Sequence, residues 1–312
     1  MTITVVGSVA FDAVKTPFGE RERMLGGAAT YFALAASFFD HVHVVGRVGA
    51  DFGEDELAVL ATRGTDVDDV ERVADGKSFF WAGEYGWDLN SRDTLDTQLG
   101  VFADFQPHLS ASSSACDVLF LANIQPELQL SVLEQCPGTK FVAMDSMNFW
   151  IDHARDALVE VIRRVDGVML NDAELRQLTE RPSLIAAAHE VLAMGPSVVV
   201  AKQGEYGAAR LTEDQFFALP AYPLEAVIDP TGAGDTFAGA FAGCIARHID
   251  RPLTEPVLRQ AMAYGTAVAS FCVEEFGTER VERLTAGEVD ARVEELRRMT
   301  QFDHVPVPLE AS

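Results

Sequence analysis

Short apolar runs rich in β-branched residues punctuate the chain: TITVV at 2–6, VHVV at 42–45, VLFLA at 118–122, KFVAM at 140–144, GVML at 167–170 and SVVVA at 197–201. Stretches with apolar residues at helical spacing lie between them. They include GGAATYFALAASFF from Gly26, GEDELAVLATRG from Gly53, and residues 152–164 and 183–194. Runs that are apolar throughout suit strands buried on both faces, and alternation with helices sets such strands side by side in a mostly parallel sheet. The expected fold is therefore α/β and doubly wound, with helices on both faces. No internal repeat or low-complexity linker divides residues 1–312, so a single domain is expected. Near the C-terminus, GEVDARVEELRRM at 287–299 reads as a solvated helix.

Two stretches break the alternation. Residues 10–25 hold no helical pattern, and residues 66–105 mix polar positions with the aromatic run SFFWAGEYGWDLN. Gly83 and Gly86 punctuate that run, which suits short strands and turns. Together the two segments, about 10–25 and 66–105, predict a small β element standing off the main sheet, as a lid or an interface. Of Phe79, Phe80, Trp81, Tyr85 and Trp87, one or two are expected to touch a ligand, while the others pack or meet a second subunit.

Composition narrows the function. The formal net charge is −24, which excludes general affinity for nucleic acid or anionic membrane, since both need a basic face. Lysine is scarce: only Lys15, Lys77, Lys140 and Lys202 occur. Cys116, Cys136, Cys244 and Cys272 are far apart and form no C-x-x-C pair, so buried free thiols are expected. His41, His43, His153, His189 and His248 show no metal-ligand spacing. The start, MTITVVGSVAFD, lacks a basic region ahead of its apolar run, and no apolar run is long enough to span a membrane. A cytoplasmic location is expected.

The chemistry concentrates in DPTGAGDTFAGAF at 229–241. Phe237, Ala240, Phe241, Cys244, Ile245 and His248 recur at helical spacing, so a helix starts near Gly232. Its first amides have no intrahelical partner and its N-terminus carries partial positive charge. Gly232, Ala233 and Gly234 keep that mouth open, making a phosphate-sized anion hole. A Walker A loop is excluded because no lysine follows the glycines. A dinucleotide fingerprint is excluded because Phe237 stands where the third glycine is needed. A carboxylate in an anion hole makes sense if Asp235 faces a neutral hydroxyl and takes its proton as the oxygen attacks a phosphoryl group.

The same stretch resembles the C-terminal signature of the ribokinase-like (PfkB) kinases, and other segments follow that family's order. VVGSVAFD at 5–12 resembles its first strand ending in a substrate-binding acid. GGAATYFALAASFF resembles its di-glycine segment, VGRVGADFGEDEL its next strand and turn, NDAE at 171–174 its N-x-x-E motif, and VVVAKQGEYGA its approach to the nucleotide. The resemblance spans nearly the whole chain. It implies that Asp235 is the catalytic base and that Gly232, Ala233 and Gly234 form the anion hole. It implies that Asp12, Gly26 and Gly27 hold acceptor hydroxyls. Separately, Asn123 in LANIQPE stands just after a strand, where open α/β sheets bind ligands, so it is expected either to reach substrate or to cap its loop. Asn171 and Glu174 would organise phosphate and hydrated Mg²⁺, Lys202, Gly204 and Gly207 would line ATP, and a monovalent cation (K⁺) would sit near Asp229 and Thr231. It also makes the 66–105 segment a lid that can double as a homodimer interface.

Two departures matter. Tyr31 stands where many sugar kinases of the family carry a sugar-binding asparagine. The family's D-x-N-x-R stretch is DSMNFW, which keeps Asp145 and lacks the arginine. Basic residues are absent from GSVAFD and GGAATYFA, and Arg92 lies among Asp88, Asp93 and Asp96, leaving Arg47 as the other candidate cation. The resulting expectation is an ATP- and Mg²⁺-dependent kinase for a neutral sugar-like acceptor. A nucleoside kinase of the same fold is the alternative, and a non-catalytic nucleotide or sugar sensor is the alternative of another class.

Overall fold

In the computed structural model, which describes residues 1–303, the strands form a nine-stranded and a four-stranded sheet. Residues 304–312 of the expected single domain lie outside the described residues. In the large sheet β1 (Thr2–Val6) lies between β4 (His41–Val48) and β8 (Val118–Leu121). Beyond β4 comes β5 (Val70–Arg72). Beyond β8 come β9 (Phe141–Met144), β10 (Gly167–Asn171) and β11 (Val198–Lys202). All of these pairings are parallel. β12 (Ala208–Leu211) and β13 (Phe216–Leu219) close the far edge antiparallel. The small sheet runs β3 (Gly19–Gly26), β2 (Ala10–Thr16), β6 (Phe79–Tyr85), β7 (Arg92–Gln98).

Side chains alternate across the large sheet as the pleat requires. Ile3, Val5, Val118 and Phe120 enter one apolar cluster, while Val6, Leu119 and Leu121 enter the other. Helices Ala28–Ala36, Ala233–Ala246 and Glu255–Cys272 supply the first cluster with Phe32, Phe241 and Met262. Helices Pro126–Gln135, Arg155–Ile162, Asp172–Thr179 and Leu184–Leu192 supply the second with Val132, Leu158, Leu175 and Ala187. The Ala28–Ala36 and Ala233–Ala246 helices meet almost backbone to backbone, since a Cβ on Gly239 would overlap the Phe32 carbonyl.

The structure departs from the sequence pattern in particulars. β5 pairs with β4 in the main sheet, so the part that stands off is 79–98 together with β2 and β3. The expected 152–164 helix is two helices, Asn148–His153 and Arg155–Ile162, because Ala154 leaves the helical region at φ −140°. The β12–β13 hairpin is too short and too mixed in character to stand out as a pattern. All four cysteines are buried and free, as expected.

Candidate active site

Parallel strands release their chain at one end of the sheet, and that is where ligands bind in open α/β folds. Asn123 follows β8, Asp145 follows β9, Asn171 ends β10 and Lys202 ends β11. Asp145 is buried and receives the Lys202 ammonium at 2.5 Å. Asn171 and Glu174 cap the Asp172–Thr179 helix reciprocally: the Glu174 amide donates to Asn171 Oδ1 and the Asn171 amide to Glu174 Oε2, both at 2.8 Å. The N-x-x-E pattern thus fixes the Glu174 carboxylate beside Lys202 and Asp145. Gly204 and Gly207 shape the turn from β11 to β12, and a Cβ on Gly207 would overlap the Leu219 carbonyl.

The helix expected near Gly232 spans Ala233–Ala246, with Gly232 as its N-cap at φ +75°. That left-handed angle suits glycine, and a Cβ there would strike the Tyr31 ring. The Ala233 amide turns back to the Pro230 carbonyl and the Thr236 amide to that of Gly232, leaving the amides between them at the open mouth. Asp235 sits in the first turn, half-buried. Gly234 faces Lys202, whose Nζ lies 3.1 Å from where a Cβ would be.

Asp12 of β2 is buried and its carboxylate lies over Gly26, leaving no room for a side chain there. Gly27, at φ +96°, turns the chain into the next helix. Tyr31 is not on the open site. It is 1% exposed, packed behind Gly232, and its hydroxyl has no hydrogen-bond partner among the described residues. Asn123 Oδ1 accepts from the Trp150 indole at 3.0 Å, so that oxygen is already engaged. Asp229 is buried, with Oδ1 accepting from the Thr231 amide and Oδ2 from the Gly277 amide.

The small sheet reaches this site in ways the sequence does not reveal. Tyr85 of β6 accepts a hydrogen bond from the Thr231 hydroxyl at 3.1 Å, across 146 positions of chain. Asn90, at the tip between β6 and β7, donates to Glu205 in the turn after β11 at 2.9 Å. Arg92 is not neutralised by its sequence neighbours. Asp88 is engaged by the tip amides of Asn90 and Ser91, and Asp96 accepts from Gln98. The Arg92 guanidinium instead lies over the Trp81 ring, 5.1 Å from its centroid, and favours the charged forms of Asp12, Glu174 and Asp235. Arg47 is elsewhere, bonded to the Asp104 carbonyl and paired with Glu71. The aromatics are largely spent on packing: Phe79 stacks on Phe102 and Phe80 packs against the core, while Trp87 is 90% exposed.

Acids dominate the electrostatics. Burial, then Asp229 and Asp235, push Asp12 up to about 7. Burial, then Asp145, push Asp235 up to about 7, against the pull of Lys202 and Arg92. Burial and Asp145 do the same for Glu174, also to about 7. Burial works to lower the Lys202 pKa, but Asp145, Glu174 and Asp235 outweigh it and hold the ammonium above its ordinary value.

Residues 2–283 match the family described as pfkB family carbohydrate kinase. The chain belongs to that family. As a pfkB kinase it is a phosphotransferase that acts on a hydroxyl group, with ATP as the phosphoryl donor. It is 30% identical over 266 residues to the cytidine kinase of Thermococcus kodakarensis, covering 82% of this chain and 92% of that one. It is 27% identical over 323 residues to the nucleoside kinase of Methanothermobacter thermautotrophicus, covering 91% and 96%. In fold it is similar to an E. coli chain described as a ribokinase II in complex with ATP and Mg²⁺, with TM-score 0.75, 19% identity, and 94% and 99% of the two chains covered. No described helix of the kinase is long and apolar enough to cross a membrane.

Proposed function

We propose that this kinase phosphorylates the ribose hydroxymethyl group of a neutral nucleoside, in the cytoplasm. The observation that carries the reading is the convergence of Asp12, Asp229 and Asp235 on the acceptor pocket, where burial first and then the two neighbouring acids outweigh Arg92 and push Asp12 up to about 7. A phosphorylated acceptor would meet that field as a dianion, whereas a neutral polyol meets it as a set of hydroxyl donors. Two relatives, each matched over more than nine-tenths of its own length, are cytidine and nucleoside kinases, which favours a nucleoside among neutral polyols. A bare sugar is the second reading, favoured by how few lid aromatics are left free to stack on a base.

In this proposal Asp235 accepts the hydroxyl proton as the acceptor oxygen attacks the γ-phosphorus. The new P–O bond forms as the bond to the β–γ bridging oxygen breaks, and ADP leaves. The Gly232–Gly234 mouth receives charge building on the transferred group. Asp12 holds acceptor hydroxyls, its carboxylate lying over Gly26, while Gly27 lets the chain turn tightly against the Ser8 carbonyl. Lys202 and the Gly204–Gly207 turn hold the nucleotide. The donor set fits a hydrated Mg²⁺: Glu174 is a hard oxygen donor whose carboxylate the Asn171 amide holds in place, with the acid Asp145 beside it. When bound, Mg²⁺ supplies neutralisation of the phosphate oxygens. A monovalent cation near Asp229 and Thr231 belongs to the same proposal, because backbone amides rather than a cationic side chain hold that buried acid. Exchange of K⁺ for tetramethylammonium tests it. Dimerisation through the exposed face of β7 is the corresponding proposal for assembly, read by sedimentation.

The deciding experiment is ADP release from Mg·ATP with cytidine, inosine, adenosine, ribose, fructose and fructose 6-phosphate. A nucleoside is expected to give kcat/KM at least about tenfold above any sugar, a 1.4 kcal/mol preference. Preference for a free sugar selects the second reading, and preference for the phosphorylated sugar defeats both.

A further inference from the structure

At the opposite end of the large sheet from the active site, three potential metal ligands converge that have no place in phosphoryl transfer. His41 and His43 alternate along β4 with Val42 and Val44, whose side chains enter the apolar cluster on one face. Both imidazoles therefore lie on the other face. Asp66 joins them through a parallel bridge to His43: its amide donates to the Val42 carbonyl at 2.8 Å, and its carbonyl accepts from the Val44 amide at 2.9 Å. One carboxylate oxygen, Oδ1, is held by the Asp68 amide. The other, Oδ2, lies 3.2 Å from His43 Nδ1. That approach is close but misaligned for a hydrogen bond, and Nδ1 has no hydrogen-bond partner although His43 is only 5% exposed. A buried ring nitrogen left unpaired beside a carboxylate oxygen is costly, unless both serve a third group between them. One ligand atom from each of His41, His43 and Asp66 lies within 4.8 Å of the others. His41 is exposed, so its ring has room to turn and shorten that span.

We propose that His41, His43 and Asp66 form a binding site for a divalent transition ion of the Zn²⁺ class. Two imidazoles and one carboxylate select a borderline ion over Mg²⁺ or Ca²⁺, which favour oxygen donors alone. Three protein ligands leave a fourth position for water on the exposed side. The ion would clamp Asp66 to β4, and so fix the root of the segment that continues through β5 into the small sheet. Sequence spacing conceals the site, because the two histidines are only two apart on a strand and the third ligand arrives from a separate segment.

The test uses the full chain, stripped by chelator and titrated calorimetrically with Zn²⁺ alone, without nucleotide. One equivalent should bind, persist in millimolar Mg²⁺, and raise Tm. His41→Ala and Asp66→Asn should each weaken Zn²⁺ binding at least about tenfold and abolish the Tm shift, while Glu174→Gln should bind as the unaltered chain does. His41 is exposed, so its variant should melt as the unaltered apo chain does. Absence of binding to the unaltered chain would overturn the proposal. So would unchanged affinity in His41→Ala and Asp66→Asn, or loss only in Glu174→Gln, which would place the ion among the active-site acids.

Discussion

At the scale of single residues, Asp235 is the group on which the proposed chemistry turns. Asparagine keeps its shape and removes its basicity. Asp235→Asn should therefore retain ATP binding and lose about 10² to 10⁴ in kcat, measured under saturating substrates. Near-normal turnover would remove Asp235 from the role of base. Its raised pKa has two consequences of opposite sign. In the proposed role activity needs the carboxylate, so kcat/KM should climb as pH rises through about 7, where Asp235 is half ionised, and level off only above that. Stability runs the other way. Asp12 and Asp235 bind protons more tightly folded, at about 7, than unfolded, at 3.8, so their contribution is complete below the lower value. It is lost as pH rises through the upper one. A ligand-free melting series that gained stability from these acids between those limits would contradict the electrostatic description of the site.

At the scale of elements, the Ala233–Ala246 helix separates two uses of glycine. A Cβ on Gly234 would meet the flexible end of Lys202, whereas one on Gly239 would overlap the Phe32 carbonyl of a neighbouring helix. Gly234→Ala should move Tm by no more than about 2 °C. By displacing Lys202 it should lower kcat by about 10²-fold, the cost of ångström-scale misplacement. Gly239→Ala should reverse the pattern, costing about 1–3 kcal/mol in denaturant titrations while the folded fraction stays active. How well the sequence foretells each element depends on how local its determinants are. The strand run TITVV and the helix opening at Ala233 are legible, because pleat alternation, helical spacing and an end cap are written in neighbouring residues. Asn171 and Glu174 are legible only as a motif, and their reciprocal capping of a helix is a finding of the structure. Tyr85 and Thr231 meet only after the whole fold has formed, and neither segment carries a mark of the other. Arg92 is misread because acids adjacent in sequence are not adjacent in space: on a strand, neighbours point to opposite faces, and the tip turn takes Asp88.

At the scale of the whole molecule, 48 acids face 24 basic residues. Self-repulsion across such a surface opposes the compact state, and salt relieves it by shortening the Debye length from about 10 Å at 0.1 M to about 3 Å at 1 M. Tm should rise by several degrees over that range in both KCl and tetramethylammonium chloride. A rise confined to KCl would trace the effect to cation binding near Asp229 instead. The small sheet also acts at this scale. It touches the turn after β11 through Asn90 and the loop before Gly232 through Tyr85, while β2 carries Asp12, the proposed acceptor-binding acid. A single body that leans on the proposed places of two ligands obliges each to notice the other. Whatever factor the acceptor adds to the affinity for a non-hydrolysable ATP analogue, the analogue must return to the acceptor, since thermodynamic linkage is reciprocal. Asn90→Ala should shrink that shared factor in calorimetric titrations while leaving each ligand's solitary affinity nearly intact, and an unchanged factor would show that the two sites fill independently.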